Sequence, residues 1–396
     1  MHRNAIAARR ADCEEDDEMT DPQRHEEVDT VVIGGSQSGL AVGYHLMRLG
    51  RPFVILDAHD RVGDAWRTRW DSLRLFTTAR YDGLPGMPFP GHRASYPTKD
   101  ETADYLEAYA ERFRLPVATG VTVERLSRRG EVFEVVAGER TFAARNVVVA
   151  TGAFHTPRVP EFAEGLDPTI RQMHSSAYRH PSQLGDGEVL VVGAGNSGAE
   201  IALEASQQHR TWLSGRDPGQ EPTRAGSLPD RLLMPLMWFF ASRVTTVASP
   251  IGRKVRSHFL DPPRGIPLGR VRRSDIRAAG IERVPRTTGV RDGYPMLEDG
   301  RVPEVSTVVW CTGFVPDYSW IDLPGLDDDT YPEHQRGVVS SQPGLYFVGL
   351  LFLRALSSAL LGGVGRDAEH LVNHIATRTD GGAATATTRT AAGRSA

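Results

Sequence analysis

Residues 188–200, EVLVVGAGNSGAE, pass from a block of β-branched residues through Gly193, Gly195 and Gly198 into helix-forming Ala and Glu. The order is strand, tight turn, helix. In such a turn the first glycine permits the bend, the second lets a pyrophosphate approach the backbone, and the third lets helix pack on strand. Asn196 and Ser197 then sit at a helix N-terminus, where phosphate charge is favoured. Three glycines at this spacing are a weak signal alone, in a chain with 40 of them. Residues 30–45, TVVIGGSQSGLAVGYH, repeat the design 159 positions upstream, at Gly34. A chain built on two such turns is constrained to an α/β fold with two parallel, Rossmann-like sheets.

The two units end differently. In the first, residues 31–33 predict a buried strand, 38–49 a helix with Gly50 as its C-cap, and 53–56 a second strand ending in Asp57. Asp57 lies 23 positions after Gly34, where a carboxylate accepts hydrogen bonds from a free ribose 2′-OH. Ser36 replaces the middle glycine; it is small, its hydroxyl can bond phosphate, and Gly35 beside it keeps the turn permissive. Gly34, Gly35, Ser36, Ser38, Gly39 and Asp57 are thus candidates for holding FAD. In the second unit, 23 positions after Gly193, comes Arg216, at the end of the predicted strand 211–214. Arginine clamps a 2′-phosphate with a planar fork, and Ser214 offers a hydroxyl beside it. A solvated surface arginine is the alternative. The acidic end suits FAD, the basic end suits NADPH, and the pair predicts hydride transfer from nicotinamide to flavin.

Residues 147–152, VVVATG, and 308–313, VVWCTG, are paired strands that each end in Thr-Gly. Hairpin signals precede both: Arg129-Gly130 and Gly138-Glu139 before the first, Asp292-Gly293 and Asp299-Gly300 before the second. Each half therefore reads as βαβ, small β-meander and return strand, an internal duplication. Ala150, Thr151 and Gly152 join the FAD candidates, as do Val123 ahead of the first return and Gly349 at the end of LYFVG. Thr312 and Gly313 join the NADP candidates. The expected boundaries are a disordered leader over 1–28, an FAD domain over 29–158 completed by 322–376, an NADPH domain over 159–321 with an insertion at 218–273, and a disordered tail over 377–396.

Composition excludes several classes. A net charge of −4 gives no general attraction to nucleic acid or anionic membrane. Of 46 basic residues only Lys99 and Lys254 are lysines, an arginine bias that reads as GC-rich bacterial coding. Cys13 and Cys311 form neither a C-x-x-C pair nor a zinc cluster, which argues against a disulfide reductase and against a metal site. The first 28 residues lack the apolar stretch of a secretion signal, which predicts a cytoplasmic protein. Residues 232–252 are apolar, but Pro235, Arg243 and Pro250 interrupt them and the uncharged run is too short to cross hydrocarbon. A core or pocket-lining helix is expected there, with a lipid-facing helix as the alternative, and no stable membrane insertion. The whole insertion, rich in Pro, Met and aromatic residues, predicts either an apolar substrate entrance or a helical cap.

The motifs GGSQSG, VVVATG, HSSAY at 174–178, VVGAGNSG and WCTGF at 310–314, in this order, resemble the flavin-containing monooxygenases and their class B relatives, including the plant YUCCA enzymes and the Baeyer–Villiger monooxygenases. The likeness runs from residue 29 to 375. It implies an α/β fold of two Rossmann-like, FAD/NAD(P)-binding domains of glutathione-reductase type, each with a small β-meander. It also implies that reduced flavin takes O2 to form a C4a-(hydro)peroxyflavin, shielded by bound NADP+, that oxygenates a small apolar or N/S-containing substrate. Baeyer–Villiger or oxidative decarboxylation chemistry and a non-oxygenating NADPH oxidase or flavin reductase are the alternatives, in a monomer or homodimer.

Two departures from the family pattern stand out. Of its F-x-G-x-x-x-H-x-x-x-[FWY] signature, His174 and Tyr178 are in frame, whereas Pro168 and Ile170 replace Phe and Gly. Where many members carry T-N-T, this chain has Leu75-Phe76-Thr77. Phe76 and Thr77 are therefore flavin-face candidates that lack the amide, with Trp66 at the head of the same stretch. Arg67, Arg69, Arg74 and Arg80, interleaved with Trp66 and Trp70, read equally as a stacking platform or as a salt-bridged loop. Leu350 follows Gly349 where many flavoproteins have Asp, and a final helix over 358–375 is expected beside the flavin.

Overall fold

The structure is a computed structural model that describes residues 24–260, 265–326 and 333–392. Two parallel arrays of five strands organise it, the first lying within a seven-stranded mixed sheet. In the first, Val117–Ala118, Phe53–Leu56, Arg24–Ile33, Arg140–Val149 and Leu345–Phe347 lie side by side. In the second, Glu282–Val284, Thr211–Ser214, Val189–Val192, Thr307–Trp310 and Arg171–His174 take the same order. The duplication read from the motifs is thus a duplication of sheet topology. Only the fifth strand differs in origin: the C-terminal part of the chain supplies it to the first sheet, and the segment just before the second fingerprint supplies it to the second.

Burial on both faces explains why the central strand segments of both sheets are apolar. Val32, Val148 and Tyr346 point into one core, while Val31, Ile33, Val147, Val149, Leu345 and Phe347 point into another on the opposite face. Val189 and Val191 face one layer of the second unit, and Leu190 and Val192 the other. A strand covered on both sides needs an unbroken apolar run, which is what 31–33 and 189–192 provide. The helices Gln37–Arg48 and Gly365–Ala392 pack on the first sheet, sharing a core through Leu40, Val364 and Leu371.

The meanders differ. Arg125–Arg129, Val132–Ala137 and Arg140–Val149 make one antiparallel run continuous with the first sheet, whereas Thr287–Arg291 and Tyr294–Leu297 form a separate hairpin. The hairpin turns where expected, with Asp292 and Gly293 both at positive φ.

Three boundaries are corrected. The first strand starts at Arg24, inside the expected leader: backbone pairing of His25–Val28 with Thr141–Ala144 and a 2.8 Å Arg140–Glu26 ion pair hold polar residues that carry no apolar signal. Residues 1–23 of that leader lie outside the described residues. The last helix begins at Gly365, after a 3₁₀ turn Leu356–Ala359, and its backbone stays helical to Ala392, through most of the expected tail.

The insertion leaves and re-enters the second unit but is fastened to the first. Its helix Leu228–Phe239 continues into a π-helical turn Phe240–Val244, and a helix Pro250–Leu260 follows. Thr246 and Ala355 form an antiparallel bridge, flanked by Val247 N to Arg354 O at 2.9 Å and Leu356 N to Thr245 O at 3.0 Å. No helix among the described residues is long and apolar enough to cross a membrane.

Candidate active site

The two glycine turns repeat one another in detail. Gly34 and Gly193 share φ +108°, in the region that only glycine enters freely, and a Cβ on either would collide with the carbonyl of the return strand, at Ala150 or Cys311. A Cβ on Gly39 would strike Gly34 O, and one on Gly198 would strike Gly193 O, so the third glycine is demanded by helix-on-turn packing. The middle position is different. Ser36 and Gly195 are both extended, at φ −89° and −73°, which any residue adopts. A Cβ on Gly195 would touch nothing within 4 Å. Glycine there serves the approach to the helix end and not the backbone, and that is why the first unit tolerates Ser36.

Both helices begin without a side-chain cap and without an acidic residue in the first turn. Two other helices are capped: Thr98 and Glu101 form a capping box on Lys99–Arg112, and Ser227 caps Leu228–Phe239. Two uncapped N-termini behind glycine turns leave N–H groups and positive dipole ends for anionic groups.

The strand ends carry the charge contrast, with a shift of one residue. Gly34 N donates to Leu56 O, and Gly193 N donates to Ser214 O. The counterpart of Asp57 is therefore Gly215, and Arg216 lies one step beyond it. Asp57 is buried; its Oδ2 accepts from Gly35 N at 2.6 Å, and its Oδ1 accepts from His59 N and from His59 Nδ1, both at 2.8 Å. Burial pushes its pKa up, but these hydrogen bonds outweigh it and hold the carboxyl below its usual value. The hydrogen bond to Asp57 raises the His59 pKa in turn. A carboxylate has about four lone-pair sites, so three N–H donors leave Asp57 room for one more.

At the second strand end there is no carboxylate. Gly215 has φ +131°, and Arg216 is exposed with no ion-pair partner among the described residues. Arg283 donates to Gly215 O at 3.0 Å, and Arg273 pairs with Asp217 at 2.8 Å. Ser214 is corrected. Strand alternation turns it inward, where it is fully buried, donates to Pro285 O, accepts from Thr287 N and shares a hydrogen bond with Thr287 Oγ1. Asn196 uses its side chain to hold the end of the insertion, through Ile266 O, Pro267 O and Gly269 N, while Ser197 stays half-buried.

The Thr-Gly loops also match, with Gly152 at φ +81° and Gly313 at +82°. Gly349 lies against the first turn: a Cβ there would collide with Ser38 Oγ and come within 3.8 Å of Gly152 Cα. Trp66 reaches the same helix end, donating to Gln37 Oε1 at 3.2 Å. Thr151 is exposed, and half-buried Val123 packs on the outer layer of the first sheet. Thr312 donates to Arg158 O across the interdomain linkers. His174 locks that crossing. Its Nδ1 accepts from Ser176 N at 3.1 Å, so the proton sits on Nε2 and is donated to Gly313 O at 2.9 Å. Burial lowers the His174 pKa, which keeps this neutral form.

The sequence pattern of the pyridine nucleotide-disulphide oxidoreductases matches residues 31–230. An uncharacterized CzcO-like oxidoreductase of Geobacillus kaustophilus is 42% identical over 353 residues, covering 88% of this chain and 98% of its own length. The indole-3-pyruvate monooxygenase YUCCA1 of Oryza sativa is 38% identical over 178 residues, 44% of each chain. Among solved structures, a flavin-containing monooxygenase from Stenotrophomonas maltophilia superposes with a TM-score of 0.70 at 30% identity, over 89% of this chain and 99% of that one. The chain belongs to the pyridine nucleotide-disulphide oxidoreductase family, on its flavin-monooxygenase branch. These are FAD- and NAD(P)-binding oxidoreductases.

In this flavin-monooxygenase-type protein Cys311, directly after the second return strand, is a half-buried free thiol with no cysteine partner among the described residues, and Cys13 lies outside them. The arginines of 66–80 divide between the two expected roles. Arg67 is tied to Asp64, Asp104 and Glu107, and Arg74 donates to Tyr96 O, which is the salt-bridged loop; Arg69 lies over the Phe314 ring at 6.0 Å. Trp70 belongs to the core of the second unit.

Of the flavin-face candidates, Phe76 is 47% exposed, and Thr77 is buried with its hydroxyl donated to Asp82. Asp82 is a residue that sequence reasoning missed. It is fully buried, its second oxygen has no hydrogen-bond partner, and burial pushes its pKa up to about 7 against the opposing Thr77 bond. Asp-Gly at 82–83 reads as an exposed turn, so nothing in the sequence marked it. Beside it a cleft of about 420 Å³ runs between Tyr81, Leu84, Met87 and Gly362 on one side and Trp238 of the insertion on the other, with Tyr81 and Trp238 stacked at 5.3 Å.

Proposed function

We propose that the chain is an FAD-dependent, NADPH-using monooxygenase of a small, apolar or N/S-containing organic substrate. The single observation that carries this reading is the contrast between strand ends: a buried carboxylate at Asp57 in one unit, and glycine followed by free Arg216 in the other. The cradle fits the groups. Gly34, Gly35, Ser36, Ser38, Gly39 and the uncapped helix end would receive the FAD pyrophosphate, Asp57 the adenosine ribose, and Gly152 and Gly349 the adjoining backbone edge. Trp66, Val123, Ala150 and Thr151 border it. Gly193, Gly195, Gly198 and the backbone of Asn196 and Ser197 would receive the NADPH pyrophosphate, Arg216 its 2′-phosphate, and Thr312 and Gly313 the opposite edge.

When bound and reduced by NADPH, FAD supplies the activation of O2. The chain's own part is binding, register and exclusion of water. His174, through Gly313, holds the loop of the NADPH unit against the linker, and Thr312 ties that loop to Arg158. Tyr81, Leu84, Met87 and Trp238 offer apolar contacts in the neighbouring open cleft, beside Arg80 and the backbone of Gly83, Gly86 and Gly362. The side chain of Phe76 offers no hydrogen bond, and this favours a second reading, an NADPH oxidase that releases peroxide.

One experiment tests both. Purified protein carrying bound FAD is supplied with NADPH, O2 and candidate sulfides, amines and ketones, and NADPH consumption is compared with peroxide release. Consumption in excess of peroxide, matched by oxygenated product, is the expected result. Stoichiometric peroxide with every substrate supports the oxidase, and protein that fails to retain FAD ends both readings.

A further inference from the structure

The insertion helix Leu228–Phe239 has a packed inward face and an apolar outward one. Asp230, Met234 and Trp238, spaced i, i+4, i+8, form the inward one: Asp230 and Met234 are buried and Trp238 stacks on Tyr81. Asp230 fixes this side, accepting from Tyr96 Oη at 2.5 Å and from Gly226 N at 2.9 Å. Leu228, Leu232 and Leu236 have the same spacing on the other face, and they are 70%, 73% and 51% exposed. Phe239 and Phe240 extend the stripe at the helix end, and Ile251 on the next helix adds to it, all three about half exposed. A stripe of large apolar side chains on a helix is ordinarily turned to a core. This one faces outward.

The surrounding charge identifies what covers it. Residues 231–260 contain no Asp or Glu, while Arg231, Arg243, Arg253, Lys254 and Arg256 are all exposed. Five exposed cations thus lie on the same thirty residues as the apolar stripe, in a chain of net charge −4; Arg243 also faces Arg366, and Arg256 faces His334. A leucine–phenylalanine face rimmed by arginine and lysine, on a helix of about 18 Å, has the dimensions and sign for lying in the head-group plane of a membrane, its apolar side sunk about 5–10 Å. A second copy of the chain is the poorer partner. Two-fold pairing through this face would set the same five cations against themselves. We propose that the outer face of the 228–260 insertion docks on an anionic lipid bilayer, without spanning it. The backbone bridge from Thr246 to Ala355 and the Tyr96–Asp230 bond fasten this surface to the FAD unit, so it is presented as a fixed platform. The proposal stands independently of the oxygenation chemistry.

The test is co-sedimentation of the full-length, FAD-containing protein with phosphatidylcholine vesicles and with mixed phosphatidylcholine–phosphatidylglycerol vesicles. Binding to the mixed vesicles, weakened by salt, is expected. Leu232→Glu/Leu236→Glu, at two exposed positions, should lower partitioning at least tenfold while FAD absorbance and melting temperature are retained. Arg253→Gln/Lys254→Gln/Arg256→Gln should lower it by roughly a hundredfold on the mixed vesicles and flatten the salt dependence. Failure to bind mixed vesicles, or binding by the leucine variant equal to the unchanged protein, overturns the proposal. So does a dimer that the leucine variant converts to monomer while vesicle binding is nil, which would make the face a protein interface.

Discussion

Asp57 and Gly215 stand at the same step of two copies of one fold, each immediately after the residue whose carbonyl accepts from the first glycine of its turn. In the first copy the carboxylate reaches back to Gly35 N at 2.6 Å. In the second the side chain is deleted, and φ +131° admits little but glycine. Deletion of the acid removes the group that would repel a 2′-phosphate, and Arg216 follows at once. On the proposed reading, preference for NADPH would rest as much on what Gly215 omits as on what Arg216 adds.

Asp57→Asn should lose FAD affinity and destabilise the protein by about 1.5–3 kcal/mol, the range for hydrogen bonds to a charged group. The pH profile carries the signature. The Asp57 pKa is lowered in the fold, so its contribution is full above about pH 4 and is lost as pH falls through the folded value. His59 is raised, so its share is present below about pH 6.5 and is lost as pH rises through its folded value. Thermal melts of the Asn variant should lack both edges, whereas unchanged edges would assign them elsewhere.

Asp82 gives the opposite slope. With a folded value of about 7 against an ordinary 3.8, it keeps a proton between roughly pH 4 and 7 that the unfolded chain has released. Stability should therefore fall as pH rises across that window, by an amount of order 4 kcal/mol at most. Asp82→Asn should flatten the slope in melts from pH 5 to 8; a variant that keeps it shows that other groups are responsible.

His174→Phe removes the donor to Gly313 O and the acceptor for Ser176 N, at a cost of about 1–3 kcal/mol. Since burial lowers the His174 pKa, its neutral form is favoured, and this stability is lost as pH falls below about 6.5. Comparison of melting temperatures at pH 5.5 and 7.5 should show the unchanged protein losing this increment on acidification and the variant not.

The turns, the paired returns and the duplicated sheets were legible because glycine at a forced φ and uninterrupted apolar strands leave few alternatives. The one-residue shift between Asp57 and Arg216 was not, since equal counts of 23 hide a second strand that reaches its end one residue sooner. Ser214 looked like a ligand because a short strand does not declare which face is buried. Residues 24–28 join a strand through backbone pairing and the Arg140–Glu26 ion pair, and Asp82 is buried by contacts distant in sequence; neither leaves a local pattern. The apolar run at 232–252 predicted burial, and only the packing reveals that one of its faces is covered.

The steady-state KM for NADPH and for NADH, measured on the unchanged protein and on Arg216→Ala, tests the central claim most directly. The KM for NADPH should rise about 10- to 150-fold, as expected for a charged hydrogen-bonded contact worth about 1.5–3 kcal/mol, while the KM for NADH stays nearly constant. Equal changes for the two nucleotides, or none for either, would contradict it.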